Sequence, residues 1–184
     1  MPPRIQRLRF ERLDRFESRL SHRLAEFSRY APMLWLFRCV SKLGDWPAWV
    51  VVALLQPVLH GNQGWLTAVH WGFTASVAAL VYRVLKTRLC RERPYITFTT
   101  IRCTMPPVDR YSFPSGHTLH AVMFTCLTAA SSPQLLPIVL PLACLIAASR
   151  VVLGLHYVSD VIVGAIIGAV LAWCSGLLAL FVWG

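Results

Sequence analysis

Five stretches of the chain are apolar enough to be candidate membrane helices. Two are weaker than the rest: residues 46–60 are short and carry Pro57, and residues 113–130 are apolar but studded with Ser, His and Thr. Because an unpaired polar group in hydrocarbon is costly, we expect the polar-studded span to face the protein interior. The pattern predicts an all-α, multi-pass transmembrane helical bundle with about five spans. The three strongest stretches are residues 65–82, 135–149 and 161–183.

Ahead of these spans, hydrophobic residues recur every three or four positions, the period of one helix face, and arginines fill much of the remainder. Such a basic amphipathic helix suits an anionic membrane surface, the alternative being a helix docked on its own protein. Residues 31–43 are too short and too charged to cross easily, which favours an interfacial helix. We therefore divide the chain into a basic interfacial region, 1–42, and a transmembrane domain, 43–184. The periodic residues are Leu13, Phe16, Leu20, Leu24 and Phe27.

Composition supports a membrane protein and argues against other classes. The chain is 56% hydrophobic and 14% charged, whereas soluble domains are roughly 25% charged. Its net charge of +10 comes from Lys and Arg that flank membrane segments without a nucleic-acid-binding motif, so no nucleic-acid partner is expected. The six Cys show no metal-ligand spacing, and neither do Asp45, Glu92 or Asp109. We expect no metal and no cofactor.

Two polar motifs suit the binding of an anion. Lys86 is followed seven residues later by Arg93 and then Pro94. Two cations at this interval can bind one anion together. The alternative is structural, because membrane helices commonly end in basic residues. The second motif is Pro-Ser-Gly-His at 114–117, directly before an apolar run. Proline favours the first turn of a helix, and the free N–H groups of a helix N-terminus suit phosphate.

A third motif follows the fourth predicted span. Arg150 lies at the rim of an otherwise uncharged segment, which makes it a candidate functional residue. His156 and Asp160 are four residues apart, a spacing that lets the carboxylate accept the imidazole N–H if the segment is helical. Such a partner fixes the tautomer and leaves the opposite nitrogen as a nucleophile.

Together the three motifs resemble the signature of the type 2 phosphatidic acid phosphatase family, which is related to the vanadium haloperoxidases. The resemblance covers roughly residues 40–180 and implies a metal-independent lipid phosphatase. His156 would attack phosphorus, Asp160 would orient it, and His117 would protonate the departing lipid oxygen and then activate water. The residues implied to hold the phosphate oxygens are Lys86, Arg93, Ser115, Gly116 and Arg150.

The motifs predict the reaction but not its substrate. Phosphatidic acid, phosphatidylglycerophosphate and a polyprenyl diphosphate all remain candidates, as do lipid-to-lipid phosphotransfer and a non-catalytic role as lipid carrier or scaffold. All eighteen Lys and Arg fall at positions up to 42, from 83 to 110, or at 150. With five spans these positions share one membrane face with the motifs, and the positive-inside rule makes that face cytoplasmic. We expect a multi-pass inner-membrane protein whose N-terminal helix contacts anionic lipid.

Overall fold

The computed structural model shows a bundle of α-helices joined by short turns and one longer loop. It describes residues 10–107 and 109–183, without the side chains of residues 182 and 183. Residues 1–9 of the predicted basic region therefore lie outside the described part, as do Val108 and Gly184 of the predicted transmembrane domain. Proline occupies the first turn of four helices, where its missing N–H is not needed. The helices are α1 Glu11–Glu26, α2 Ala31–Leu43, α3 Trp46–His60, α4 Asn62–Leu89, α5 Pro94–Thr97, α6 Gly116–Ser131, α7 Leu136–Val152 and α8 Val158–Trp183.

Each predicted span corresponds to one helix. Three helical segments are long and apolar enough to cross a membrane: Asn62–Leu89, Pro133–Val152 and Val158–Phe181. The other two, α3 and α6, have 15 and 16 residues, about 22 to 24 Å at a rise of about 1.5 Å per residue. Large apolar side chains face outward from the bundle, among them Val69 and Ile166. The predicted all-α transmembrane bundle is confirmed.

Helix α6 forms the centre of the bundle and contacts α4, α7 and α8. Its polar residues Thr118 and Thr128 are buried, as expected for a span that faces the interior. The helix approaches α8 closely at glycines, since a Cβ on Gly168 would lie 2.3 Å from the carbonyl oxygen of Leu119. Small residues allow this approach between membrane helices. The contact fixes the start of α6 beside the start of α8.

Helix α1 docks on the bundle by its acidic side chains and leaves apolar ones exposed. Asp14 and Glu17 are 8% and 7% exposed, whereas Phe16 is 84% exposed. Leu20 and Phe27 are also exposed. The helix is therefore docked on its own protein, the alternative that the sequence left open, and its apolar face is exposed. Contact of this face with anionic lipid stays a prediction.

Candidate active site

The predicted motifs meet at one end of the bundle. Lys86 lies in the last turn of α4, and His117 lies in the first turn of α6. Arg150 lies in the last turn of α7, Asp160 lies in the first turn of α8, and His156 occupies the turn between them. Because α4 and α7 end where α6 and α8 begin, the direction of the chain brings these five residues to the same face.

The ring of His156 lies between an arginine and a carboxylate. Nη1 of Arg93 is 3.3 Å from Nε2 of His156, and Oδ2 of Asp160 is 3.5 Å from Nδ1. The second distance is longer than a normal hydrogen bond, and Nδ1 has no hydrogen-bond partner among the described residues. Since a guanidinium can only donate, its contact with Nε2 favours a lone pair there and the proton on Nδ1. Nε2 is then the nitrogen that carries the lone pair.

His156 is held in its neutral form. Its side chain is 2% exposed, and burial disfavours the imidazolium ion. Burial first, and then the positive charges of Arg93 and Arg150, hold the pKa of His156 well below its ordinary value of 6.5. A neutral imidazole is the form that can act as a nucleophile.

Asp109 pairs with the two cations of the first motif. Its Oδ2 accepts a hydrogen bond from Nζ of Lys86 at 2.7 Å, and its Oδ1 accepts one from Nη2 of Arg93 at 3.0 Å. Burial raises the pKa of Asp109, but the hydrogen bond and charge of Lys86 outweigh it, and the pKa lies below its ordinary value. The predicted convergence of the two cations on one anion is therefore present, with a carboxylate as the anion.

Arg150 retains a donor that no group in the described part of the chain accepts. One of its terminal nitrogens donates to Oγ of Ser41 in α2, and its carbonyl oxygen accepts the N–H of His156 at 3.0 Å. Its Nε is buried without a hydrogen-bond partner among the described residues. A buried guanidinium with a free N–H suits a phosphate oxygen, because an unmade hydrogen bond is costly there.

The residues of the Pro-Ser-Gly-His motif have different surroundings. His117 Nε2 lies 2.9 Å from Oδ1 of Asp45, the residue before α3. Ser115 is buried, its Oγ lies 3.0 Å from Oγ1 of Thr118, and its N–H donates to the carbonyl oxygen of Asp160. Its contacts join α6 to α8, and its role in binding phosphate stays a prediction.

Gly116 faces an aromatic ring. A Cβ at this position would lie 2.7 Å from the ring of Tyr82, and the Tyr82 hydroxyl donates to Asp109 at 2.8 Å. The absence of a side chain on Gly116 therefore permits packing against α4. Its amide remains a predicted phosphate donor.

Four residues around the site were not singled out by sequence reasoning. Asp45 and Asp109 were considered only as metal ligands, and Ser41 and Arg91 were not considered. Each reaches the site from a segment that is distant in sequence or lies between motif positions. No short-range spacing marks them, although an acidic residue beside a basic motif could have drawn attention to Asp109.

An apolar groove extends from the site along α3, α4 and α6. Its volume is about 360 Å³. His117 and Asp45 lie at its polar end, and most other lining residues are apolar. A groove of this chemistry suits a hydrocarbon chain whose polar end reaches the motif residues. Its apolar lining includes Trp46, Trp49, Val50, Ala53, Ala75 and Phe124.

Comparison with known proteins identifies relatives of the chain. It is 36% identical over 136 residues to the decaprenylphosphoryl-5-phosphoribose phosphatase of Mycolicibacterium smegmatis, covering 69% of this chain and 68% of the relative. It is 32% identical over 126 residues to the Mycobacterium tuberculosis protein of that name, covering 66% of each, just under two thirds of the relative. It is 27% identical over 155 residues to the undecaprenyl-diphosphatase of Sulfolobus acidocaldarius, covering 83% of this chain and 74% of the relative.

Two solved structures share the fold. LpxE from Aquifex aeolicus aligns with a TM-score of 0.73 and 22% identity, covering 85% of this chain and 92% of that one. The PAP2-type phosphatidylglycerolphosphate phosphatase from Bacillus subtilis aligns with a TM-score of 0.72 and 20% identity, covering 94% and 88%. A sequence model of the PAP2 superfamily matches residues 67–183, more than half of the chain. The resemblance carried by the motifs is thus confirmed, and the chain belongs to the PAP2 superfamily of membrane phosphatases.

Proposed function

We propose that this protein hydrolyses the phosphate of a membrane lipid through a phosphohistidine intermediate on His156, without a metal ion. The contact of Arg93 with Nε2 of His156 carries the proposal, because it leaves the lone pair of a neutral ring beside the cations that would hold the phosphate. Phosphoryl transfer depends mainly on positioning and charge neutralisation. Among the described residues, no three His, Cys, Asp or Glu side chains are grouped to hold a metal.

In the first step, Nε2 of His156 forms a bond to phosphorus while the bond between phosphorus and the lipid oxygen breaks. His117 gives a proton to that oxygen, and Asp45, 2.9 Å from Nε2 of His117, favours the charged form of the ring. Asp160 stabilises the positive charge that develops on His156. In the second step, water attacks phosphorus, the bond to nitrogen breaks, His117 accepts a proton from the water, and inorganic phosphate leaves.

Three cations would neutralise the phosphate during this reaction. Lys86 and Arg93 already converge on the carboxylate of Asp109, whose place a phosphate would take. Arg150 would add its free Nε–H. Fixed donors aimed at developing charge in a site closed to water are an effective source of rate enhancement.

Among the three candidate lipid classes, we favour a polyprenyl-linked phosphate or diphosphate. The relatives from three organisms are named as phosphatases of decaprenylphosphoryl-5-phosphoribose or undecaprenyl diphosphate. The apolar groove beside His117 would hold the first part of the chain.

An activity panel tests the proposal. The full chain, purified in detergent, would be assayed with undecaprenyl diphosphate, phosphatidic acid and phosphatidylglycerophosphate, with and without EDTA. We expect inorganic phosphate to be released fastest from the polyprenyl lipid and at an unchanged rate in EDTA. Transfer of the phosphate to a second lipid would indicate phosphotransfer, inactivity on the whole panel would favour a carrier role, and loss of activity in EDTA would contradict metal independence.

We further propose that the site faces the cytoplasm, as the distribution of Lys and Arg supports. Cys103 is exposed in the loop of the active-site end and is a free thiol. On intact cells, a membrane-impermeant maleimide is expected to leave it unmodified until the membrane is permeabilised. A Cys90→Ser/Cys103→Ser variant, which lacks both thiols of this loop, shows how much of the maleimide labelling comes from them. Labelling of Cys103 without permeabilisation would place the site on the outer face.

The exposed apolar face of α1 would rest on anionic lipid. Phe16 is 84% exposed, and the four arginines of the helix supply the charge. A photoreactive amino acid at position 16 is expected to crosslink to phosphatidylglycerol in nanodiscs. The same group at Glu11, about 140° away around the helix at about 3.6 residues per turn, serves as control. Equal crosslinking at both positions would contradict the proposal.

A further inference from the structure

Arg91 is a buried guanidinium whose five N–H groups are all used. Its side chain is 0% exposed. Nε and Nη2 donate to Oδ1 of Asp14 at 2.9 and 2.7 Å, and Nη2 also donates to Oε2 of Glu17 at 2.8 Å. Nη1 donates to Oγ of Ser159 at 2.7 Å and to Oδ1 of Asp160 at 2.6 Å. An arginine has five such donors, so the Arg91 cluster, as we name these five residues, is fully satisfied.

Two aromatic rings hold the plane of the Arg91 guanidinium. Its central carbon lies 4.0 Å from the ring centroid of Tyr157 and 5.1 Å from that of Phe10. Cation–π contacts of this kind favour one orientation of a planar guanidinium. Tyr157 directly follows His156 in the chain, so the rings also link Arg91 to the turn that carries the nucleophile.

Glu17 binds the beginning of α8 directly. Its Oε1 accepts the N–H of Ser159 at 2.8 Å, and its Oε2 accepts the Ser159 hydroxyl at 2.6 Å. A carboxylate at a helix N-terminus satisfies a free N–H and interacts favourably with the helix dipole. Helix α1 thereby fixes the turn of α8 that contains Asp160.

Both oxygens of Asp160 are held, Oδ1 by the Arg91 cluster and Oδ2 by the backbone of Tyr157. Oδ1 accepts from Arg91, and Oδ2 accepts the N–H of Tyr157 at 2.9 Å while facing Nδ1 of His156. If Arg91 were paired with Asp160 alone, it would neutralise the carboxylate. Because Asp14 and Glu17 share the guanidinium, three carboxylates surround one positive charge. The excess negative charge stabilises the imidazolium that forms when His156 is phosphorylated.

We propose that Arg91 is a positioning residue for the reaction, and that α1, through Asp14 and Glu17, sets the orientation and charge of Asp160. This inference rests on the proposed roles of His156 and Asp160. It assigns to the N-terminal helix a part in catalysis in addition to contact with lipid. The region that precedes the transmembrane domain thus completes the support of the nucleophile.

The test uses two variants of the full chain. Asp14→Asn/Glu17→Gln preserves the shape of both side chains and removes two charges. Arg91→Lys keeps the positive charge but loses the planar set of five N–H donors. Glu26→Gln is the matched control, since Glu26 is an exposed acid of the same helix. With the panel lipid that the wild type hydrolyses fastest, we expect kcat to fall about 10- to 100-fold in both variants, the range for partners that orient a reactive ligand. KM should stay within about twofold, and the rate of phosphohistidine formation should fall with kcat.

Thermal unfolding separates positioning from stability. The single variants Asp14→Asn and Glu17→Gln each leave Asp160 and one carboxylate of α1 on Arg91, and we expect both to fold and to give intermediate kcat values. If the double variant does not fold, the kcat values of the single variants test the proposal. A kcat within about twofold of the wild type in the folded variants, or a loss of activity that only follows the loss of folded protein, would overturn the proposal.

Failure of this proposal is distinguishable from failure of the proposed function. If wild-type protein forms no phosphohistidine, the mechanism on His156 is wrong. If the wild type forms it and the Arg91-cluster variants form it equally fast, only the role of Arg91 and α1 is wrong.

Discussion

At His156, one hydrogen-bond donor determines which ring nitrogen carries the lone pair. Arg93 can only donate, so its approach to Nε2 of His156 favours the tautomer with the proton on Nδ1, toward Asp160. Both of these neighbours also act on charge: Arg93 disfavours the imidazolium, and Asp160 favours it. In the proposed mechanism the ring would be neutral when it attacks and charged once it is phosphorylated.

The low pKa of His156 gives the first prediction. A depressed pKa means that the ring stays neutral as the pH falls through 6.5 and becomes protonated only at lower pH. In ¹⁵N-histidine spectra of the protein in detergent, the signal lost in His156→Asn should keep the shifts of a neutral ring at pH 6. Titration of this signal with a midpoint at or above 6.5 would contradict the assignment.

Asp109 gives the second prediction, because in the proposed mechanism its carboxylate would compete with phosphate for Lys86 and Arg93. Removing the charge in Asp109→Asn should lower KM and the inhibition constant of inorganic phosphate. For a carboxylate that is one-third exposed, we expect the binding free energy to become more favourable by about 0.5 to 1 kcal/mol, which lowers both constants about two- to fivefold.

The matched control for Asp109→Asn is Glu92→Gln, whose carboxylate pairs with the exposed Arg110 at 3.4 Å. This change should leave both constants unaltered. A rise of KM in Asp109→Asn would show instead that Asp109 holds the two cations in place for the substrate.

The spacing of His156 and Asp160 along the chain predicted that these two side chains would lie close together. His156 and Asp160 are four residues apart, and the first turn of α8 brings them close although His156 itself lies in the preceding turn. Asp45 could not be predicted in the same way, because it reaches His117 across 72 positions of sequence. Contacts of that range depend on how the helices pack.

Among the elements, the pair of α6 and α8 determines how the second and third motifs meet. Their close approach depends on glycine at 168, where the carbonyl oxygen of Leu119 leaves no room for a side chain. The N–H of Ser115 then donates to the carbonyl oxygen of Asp160 at 3.0 Å. A separation of the two helices would therefore move His117 away from His156.

Gly168→Ala tests this packing. Its Cβ would lie 2.3 Å from a backbone oxygen, and overpacking of this kind costs about 1 to 3 kcal/mol. We expect a lower unfolding midpoint in detergent and a reduced kcat. Gly176→Ala is the control on the same helix, because nothing lies within 4 Å of its Cβ. Equal midpoints for the two variants would contradict the account of the helix contact.

Helix α1 shows what an amphipathic pattern can and cannot predict. The spacing of Leu13, Phe16 and Leu20 indicated an apolar face, and that face is exposed in the structure. The docked face was not apparent, because acidic residues usually face solvent. Asp14 and Glu17 are buried because Arg91, from a different segment, neutralises part of their charge, and Ser159 also donates to Glu17.

For the whole molecule, chain direction and charge bring the chemistry to one end. The sequence alone predicted that the ends of α4 and α7 would meet the starts of α6 and α8, because successive spans alternate in direction. It could not predict the groove beside His117, which is formed by side chains of three helices. The result is a bundle with a lipid-facing surface, an apolar groove and a cluster of cations beside His156.

Trapping of the phosphoenzyme tests the central claim most directly. Wild-type protein would be mixed with undecaprenyl diphosphate carrying ³²P in its terminal phosphate, quenched within milliseconds in alkali, and digested for mass spectrometry. The account predicts an acid-labile, alkali-stable phosphate on the peptide that contains His156, absent from His156→Asn. Hydrolysis by the wild type with no label on His156, or undiminished phosphate release by His156→Asn, would contradict it.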